Sequence, residues 1–168
     1  INNFLKSIFV IFFIFINFVE SGESNSFNRK RFLEICKNQF NNITFKHLFY
    51  RASALSNEFF NTPEECDKVF DVISDQEYLD LTLEKELIYL DETFNSAIKN
   101  NEPLIDITIL EYFDFKNLKY LLLNSMNLKD VTTIGKLESL EELYLHNNMI
   151  ADLMPLKNLK KLIMKKFK

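Results

Sequence analysis

The sequence predicts an α/β solenoid in which short parallel strands line a concave face, preceded by an α-helical cap. Two observations predict this fold. Two leucine-rich segments, one starting at Leu118 and one at Leu140, align without gaps at a period of 22 residues. Ahead of them, residues 28–74 carry apolar side chains at helical spacing. We therefore divide the chain into a signal peptide at 1–21, a helical cap at 22–78 and repeats at 79–168.

Residues 1–22 read INNFLKSIFVIFFIFINFVESG and are typical of a secretory signal. Lys6 supplies a positive charge, and the apolar run that follows extends to Val19. A helix of this length spans roughly 20 Å, which is short of the ~30 Å hydrocarbon core. We expect cleavage before Gly22, export to the periplasm, cell surface or medium, and no stable membrane span afterwards. An uncleaved anchor and a buried core helix are the alternatives.

Three amphipathic helices are predicted after a short polar linker. Phe32, Ile35, Cys36 and Phe40 mark the first. Thr44, which we expect to cap the second helix, precedes its apolar residues Phe45, Leu48, Phe49, Ala52 and Leu55. The third begins at Thr62-Pro63-Glu64-Glu65, where threonine, proline and a glutamate three residues after the threonine form a capping box.

The two cysteines, Cys36 and Cys66, fall on apolar faces of the first and third helices. An even number of cysteines in an exported protein indicates a disulfide. A disulfide between Cys36 and Cys66 would close a loop of about 30 residues. In the chain-entropy description, this would stabilise the folded protein by about 3–4 kcal/mol. Two free, buried thiols in a reducing compartment are the alternative.

The repeats carry the most specific pattern in the sequence. Aligned pairs share apolar or acidic character at Leu118/Leu140, Leu121/Leu143, Leu123/Leu145, Leu128/Ile150, Asp130/Asp152, Ile134/Leu156 and Leu137/Leu159. This is the LxxLxLxxNxI pattern of a leucine-rich repeat. We expect Asn148 to satisfy backbone groups where the chain leaves the strand, which Met126 cannot do at the matching position.

The pattern weakens on both sides of these two copies. Upstream, Leu79 and Leu81 are typical of a capping strand, and Asp106-x-x-Ile109-Leu110 resembles Asp152-x-x-Pro155-Leu156. Residues 84–103 do not fit the period. Downstream, a third copy is not maintained, because Lys165 stands where an apolar residue is expected. The array is therefore expected to be truncated, or uncapped and shielded by its terminal lysines.

The repeats resemble the 22-residue repeats of bacterial internalin-like proteins, through the Asn-x-Ile-x-Asp motif that starts at Asn148 and the Pro155-Leu156 step. The helical segment with two cysteines is similar to the cap of several exported bacterial leucine-rich-repeat proteins. The resemblance covers about residues 30–165 and is specific for 118–162. It implies a binding scaffold whose partner is another protein, such as a host or cell-surface protein.

Composition and motifs exclude several other functions. The formal net charge of -4 argues against a nucleic-acid partner, since phosphate binding needs a basic surface. With only Gly22 and Gly135, the chain has no glycine-rich phosphate loop. The two histidines, His47 and His146, are far apart, and we expect His47 at the surface or boundary of its helix. Neither an enzyme, a metal site nor a cofactor is indicated.

Binding is therefore predicted on the concave face, at the outward positions of the two regular strands. These positions are Tyr120, Leu122, Asn124, Glu142, Tyr144 and His146. The 22-residue offset places Leu122 beside Tyr144 and Asn124 beside His146. The alternative is a truncated or degenerate structural paralogue that has no dedicated partner.

Overall fold

The computed structural model of the chain describes residues 26–82, 96, 99, 100 and 102–166, with only the backbone for 164–166. The predicted signal peptide at 1–21 and most of residues 84–103 lie outside this part. No helix among the described residues combines the length and apolar character that a membrane span requires.

The N-terminal region is helical, as predicted. Its helices are α1 (residues 26–38), α2 (Ile43–Ser56) and α3 (Cys66–Ser74). Asn42, not Thr44, caps α2, because the Asn42 side chain accepts a hydrogen bond from the backbone N–H of Thr44 at 2.8 Å. The predicted capping box is present ahead of α3, where the Glu65 carboxylate accepts from the backbone N–H of Thr62 at 2.9 Å.

A disulfide joins α1 to α3, which confirms the predicted pairing. Cys36 and Cys66 are bonded to each other and are fully buried. Next to this bond, the ring of Phe32 packs against that of Phe70 at 5.2 Å between centroids and against that of Phe113 at 5.0 Å. Because Phe113 follows the helices in the chain and precedes the regular repeats, this aromatic cluster connects the two regions.

The repeats form one parallel sheet whose strands follow one another in chain order. The strands are β1 (Tyr78–Asp80), β2 (Tyr120–Leu122), β3 (Glu142–Tyr144) and β4 (Met164–Lys166). Their register confirms the gapless alignment, because β2, β3 and β4 each pair residues that lie 22 positions apart. The prediction that the third copy is lost was wrong for the backbone, since Lys165 pairs with Leu143 within β4.

β1 confirms the predicted capping strand near Leu79, although its spacing is irregular. Tyr78 pairs with Tyr120, so 42 positions separate β1 from β2 where 22 separate the later strands. The inward residues Leu79, Leu121 and Leu143 are each fully buried. They belong to one continuous core that also contains the apolar faces of α1, α2 and α3.

Three 3₁₀ segments return the chain between strands, and we call them return segments. They span Ile107–Tyr112, Ile134–Lys136 and Met154–Asn158. Asp106, Asp130 and Asp152 precede them, and each carboxylate accepts a hydrogen bond from the backbone N–H two residues later. This shared turn confirms that the Asp106 segment is an irregular counterpart of the regular repeats.

The side chain of Asn148 connects two neighbouring repeats at the end of their strands. Its Oδ1 accepts from the backbone N–H groups of Met126 and Leu128, both at 3.0 Å. Its Nδ2 donates to the carbonyls of Leu123 at 2.7 Å and Leu145 at 2.9 Å. One amide thus satisfies backbone groups of both repeats, as its position predicts.

One repeat earlier, Met126 stands at the position of Asn148 and cannot form these hydrogen bonds. Helix α2 supplies two groups in its place, one that bonds a strand carbonyl and one that accepts from a backbone N–H. His47 Nε2 lies 2.9 Å from the carbonyl of Leu81, which is the counterpart of Leu123. Thr44 Oγ1 accepts from the backbone N–H of Asp106 at 2.9 Å, as Asn148 does for Leu128.

The prediction that His47 lies at the surface or boundary of its helix was therefore wrong. Its side chain is only 2% exposed, because it joins the helical region to the first strand. Burial lowers its pKa to about 4, since the charged imidazolium would lose its solvation there.

Candidate binding face

One side of the sheet is not covered by other described elements. The side chains on this side alternate with the buried leucines, and they are half-buried or exposed. We call this surface the open sheet face and define it by the outward residues of β1–β3, which are Tyr78, Asp80, Tyr120, Leu122, Glu142 and Tyr144.

All six residues predicted for binding lie at or beside this face. Tyr120 pairs with Glu142, and Leu122 pairs with Tyr144. Just past the strands, Asn124 Oδ1 accepts a hydrogen bond from the backbone N–H of His146 at 3.1 Å. The neighbours expected from the 22-residue offset are therefore confirmed, and their role in binding stays a prediction.

Sequence reasoning missed the two residues that β1 adds to the face. Tyr78 is 49% exposed, and its ring centroid lies 6.3 Å from that of Tyr120. Asp80 lies in register with Leu122, which separates it from Tyr144 on the far side of the same row. The alternation in Glu77-Tyr78-Leu79-Asp80-Leu81 carried the necessary signal, but the irregular spacing to Leu121 concealed the register.

Hydrogen bonds fix several polar groups of the face. The Tyr144 hydroxyl donates to Glu142 Oε2 at 2.6 Å, and this contact with a carboxylate is the main reason that the pKa of Tyr144 is raised. The ring of His146 also supports the orientation of Tyr144, and the centroids of the two rings lie 6.2 Å apart. These contacts hold the aromatic side chain in one position, which lowers the entropy lost on binding.

Ion pairs border the face at its β1 side. The Arg51 guanidinium from α2 lies 3.1 Å from the Asp80 carboxylate and donates to the carbonyl of Thr82 at 3.3 Å. Lys119 binds Glu77 at 2.8 Å, and that hydrogen bond is the main reason that the pKa of Lys119 is raised. The face therefore offers rings, an aliphatic side chain and carboxylates within a defined framework, which are the components of a recognition surface.

The described residues contain no cluster of three histidine, cysteine, aspartate or glutamate side chains that could hold a metal ion.

A second surface feature lies against α2, where Phe49, Tyr50, Phe59 and Phe60 line an apolar groove of about 670 Å³. Phe59 is 77% exposed there. This groove is the main competing location for a binding site within the described part of the chain.

Comparison with known proteins identifies the repeats. Residues 116–161 match the family model described as Leucine Rich repeats, with two copies. The matched range contains β2, β3 and two of the return segments, so it coincides with the two regular copies seen in the sequence. No curated protein and no solved structure shows a significant match to the chain.

Proposed function

We propose that this chain is an exported protein-binding module whose partner docks on the open sheet face. Leucine-rich repeats generally mediate protein–protein interaction and are typically non-enzymatic binding modules. The strands carry the repeat pattern, and their outward residues differ between the two copies, as at Tyr120/Glu142, Leu122/Tyr144 and Asn124/His146. Such variation on a constant scaffold favours recognition of a specific partner.

The observation that carries this proposal is the continuous row of Leu122 and Tyr144 beside Tyr78 and Tyr120. Aromatic and aliphatic side chains in this arrangement supply the kind of area that dominates the free energy of protein–protein binding. Tyr144 is held by Glu142, and the backbone below it is fixed by the sheet. A partner would therefore meet a preorganised surface.

Export is the second part of the proposal. The Cys36–Cys66 disulfide is compatible with an exported protein, because such bonds persist in oxidising compartments. We propose that residues 1–21 are the signal peptide and that the protein is of the internalin-like bacterial type. N-terminal sequencing of protein recovered outside the cytoplasm tests this, and we expect the mature chain to begin at Gly22. An intact N-terminus on protein found only in the cytoplasm would contradict it.

The binding site is tested with a double variant, Leu122→Ala and Tyr144→Ala. After affinity purification has identified a partner, we expect the double variant to lower affinity by at least about a hundredfold, since two central side chains are removed. Phe27→Ala with Leu153→Ala is the control, because it removes one exposed aromatic and one exposed aliphatic side chain that lie on α1 and beside a return segment.

The location of the affinity loss distinguishes the two surfaces. Full retention of binding by the Leu122/Tyr144 variant, with loss after Phe59→Ala, would place the site in the groove at α2. Thermal melting of each variant must match the wild type, so that a loss of binding is not confused with unfolding.

A further inference from the structure

The open sheet face pairs aromatic rings with a carboxylate that is available for a partner. Glu142 lies in register with Tyr120, and one of its oxygens accepts from the Tyr144 hydroxyl. Within the described part of the chain, no cationic side chain forms an ion pair with Glu142. Tyr78 and Tyr120 lie on the β1 side of this carboxylate with their rings tilted by 39° to each other.

The described charges around the face are also unbalanced. The carboxylates are those of Glu77, Asp80, Glu141 and Glu142, and the cations are those of Arg51 and Lys119. Arg51 is bound to Asp80, and Lys119 lies between Glu77, which it binds, and Glu141, whose charge it also offsets. Glu142 is therefore the carboxylate of this group that has no compensating cation among the described residues. The next strand, β4, reads Met164-Lys165-Lys166, so the acidic character is confined to β1–β3.

On the premise that the open sheet face is the binding site, we propose that its partner is a protein segment that presents an arginine side chain there. A guanidinium group stacks on tyrosine rings and forms paired hydrogen bonds with a carboxylate. Tyr78 and Tyr120 supply the rings, and Glu142 supplies the carboxylate beside them. A lysine lacks the planar group that satisfies both contacts at once.

This partner chemistry is tested on the full chain with two synthetic peptides of identical sequence, one containing arginine and the other containing uncharged citrulline at the same positions. Fluorescence anisotropy is measured at physiological ionic strength, where long-range attraction between exposed charges is largely screened. We expect the arginine peptide to bind at least about tenfold more tightly than the citrulline peptide, since one charge-assisted contact is lost.

Single variants then assign the contact. We expect Glu142→Gln to weaken binding of the arginine peptide about tenfold and Tyr78→Ala to weaken it about threefold. The matched controls are Glu138→Gln and Phe27→Ala, which change an exposed carboxylate and an exposed aromatic ring outside the open sheet face, and they should leave binding unchanged. Equal binding of the two peptides, or equal effects of site and control variants, would overturn the proposal.

Failure of this inference is distinguishable from failure of the proposed function. If an identified partner requires Leu122 and Tyr144 but binds Glu142→Gln and Tyr78→Ala as well as wild type, the face is the binding site and arginine recognition is wrong. If the partner also ignores the Leu122 and Tyr144 substitutions, both proposals are wrong. Arginine recognition is supported when the same partner and the arginine peptide both lose affinity on Glu142→Gln.

Discussion

His47 gives the junction between the helices and the repeats a dependence on pH. In the repeats the corresponding link is the amide of Asn148, which does not titrate, whereas here it is an imidazole. Its Nε2 bonds the Leu81 carbonyl, and its Nδ1 has no hydrogen-bond partner within the described structure. Protonation would therefore place a charge and an unsatisfied N–H in the core.

The sign of the effect follows from the lowered pKa of His47. The pKa falls from its ordinary value of 6.5 to about 4 on folding, so the unfolded chain binds a proton first as the pH decreases. The contribution of His47 to the free energy of unfolding is fully present above about pH 6.5 and is lost progressively toward about pH 4. We expect this residue to contribute a loss of about 2 kcal/mol between about pH 7 and about pH 5.

Urea unfolding of wild type and His47→Gln at these two pH values checks this prediction. Glutamine retains a donor for Leu81 but does not titrate, so its stability should change less over the interval. Carboxylates whose pKa values are lowered on folding, such as those of Asp71 and Glu111, stay ionised over this interval. The stability that they contribute is lost only when the pH falls further, so they do not obscure the comparison. An identical loss in both proteins would contradict the assignment to His47.

At the scale of elements, the return segments pack so closely that one position requires glycine. A Cβ atom added at Gly135 would lie 2.3 Å from the carbonyl oxygen of Pro155 and 2.9 Å from its carbonyl carbon. Both of these are backbone atoms, so they cannot move aside as a flexible side chain can. The contact joins the return segment at Ile134–Lys136 to that at Met154–Asn158.

We therefore expect Gly135→Ala to destabilise the protein by about 2 kcal/mol, since the two return segments must separate to admit the methyl group. Thermal melting measures the effect. Lys157→Ala is the matched control, because Lys157 stands at the equivalent position of the next repeat and is exposed. A melting temperature for Gly135→Ala equal to that of the control would show that the segments do not pack this tightly.

The strands could be predicted from the sequence where the 22-residue period is regular, and not where it is interrupted. The register of β2, β3 and β4 followed from the sequence because every strand recurs after 22 residues. The contribution of Tyr78 and Asp80 was missed because 42 residues separate β1 from β2. The role of His47 was missed because its acceptor is a backbone carbonyl, which leaves no pattern in the side chains. The absence of an asparagine at Met126 was the available indication that another donor was needed.

At the scale of the molecule, the helices and the repeats share one core. Phe70 of α3 stacks on Phe113 with 5.1 Å between ring centroids, and Phe113 in turn contacts Phe115 at 5.4 Å. Arg29 of α1 also binds Asp67 and Asp71 of α3. Since buried contacts run without interruption from α1 to β3, the helices and repeats are expected to unfold together.

Reduction of the Cys36–Cys66 bond tests this cooperativity. The bond closes a loop with a sequence separation of 30, and its loss should cost about 3–4 kcal/mol. We expect a single transition whose melting temperature decreases by about 10 °C. The Cys36→Ala/Cys66→Ala variant should behave like the reduced protein. Two separate transitions would show that the helical region unfolds independently, and an unchanged curve would show that the bond contributes nothing.

The unequal strand spacing also bears on how such a chain can change during evolution. β1 and β2 keep the same pairing register as the later strands, although 42 positions separate their paired residues where 22 separate those of the later strands. Doubling a connection costs only about 0.6 kcal/mol in closure entropy. Closure entropy alone therefore opposes an insertion in this connection only weakly, and the strands that flank it keep the register of the later strands. A grafted peptide of given length would accordingly cost less closure entropy here than in either of the two shorter connections between the later strands.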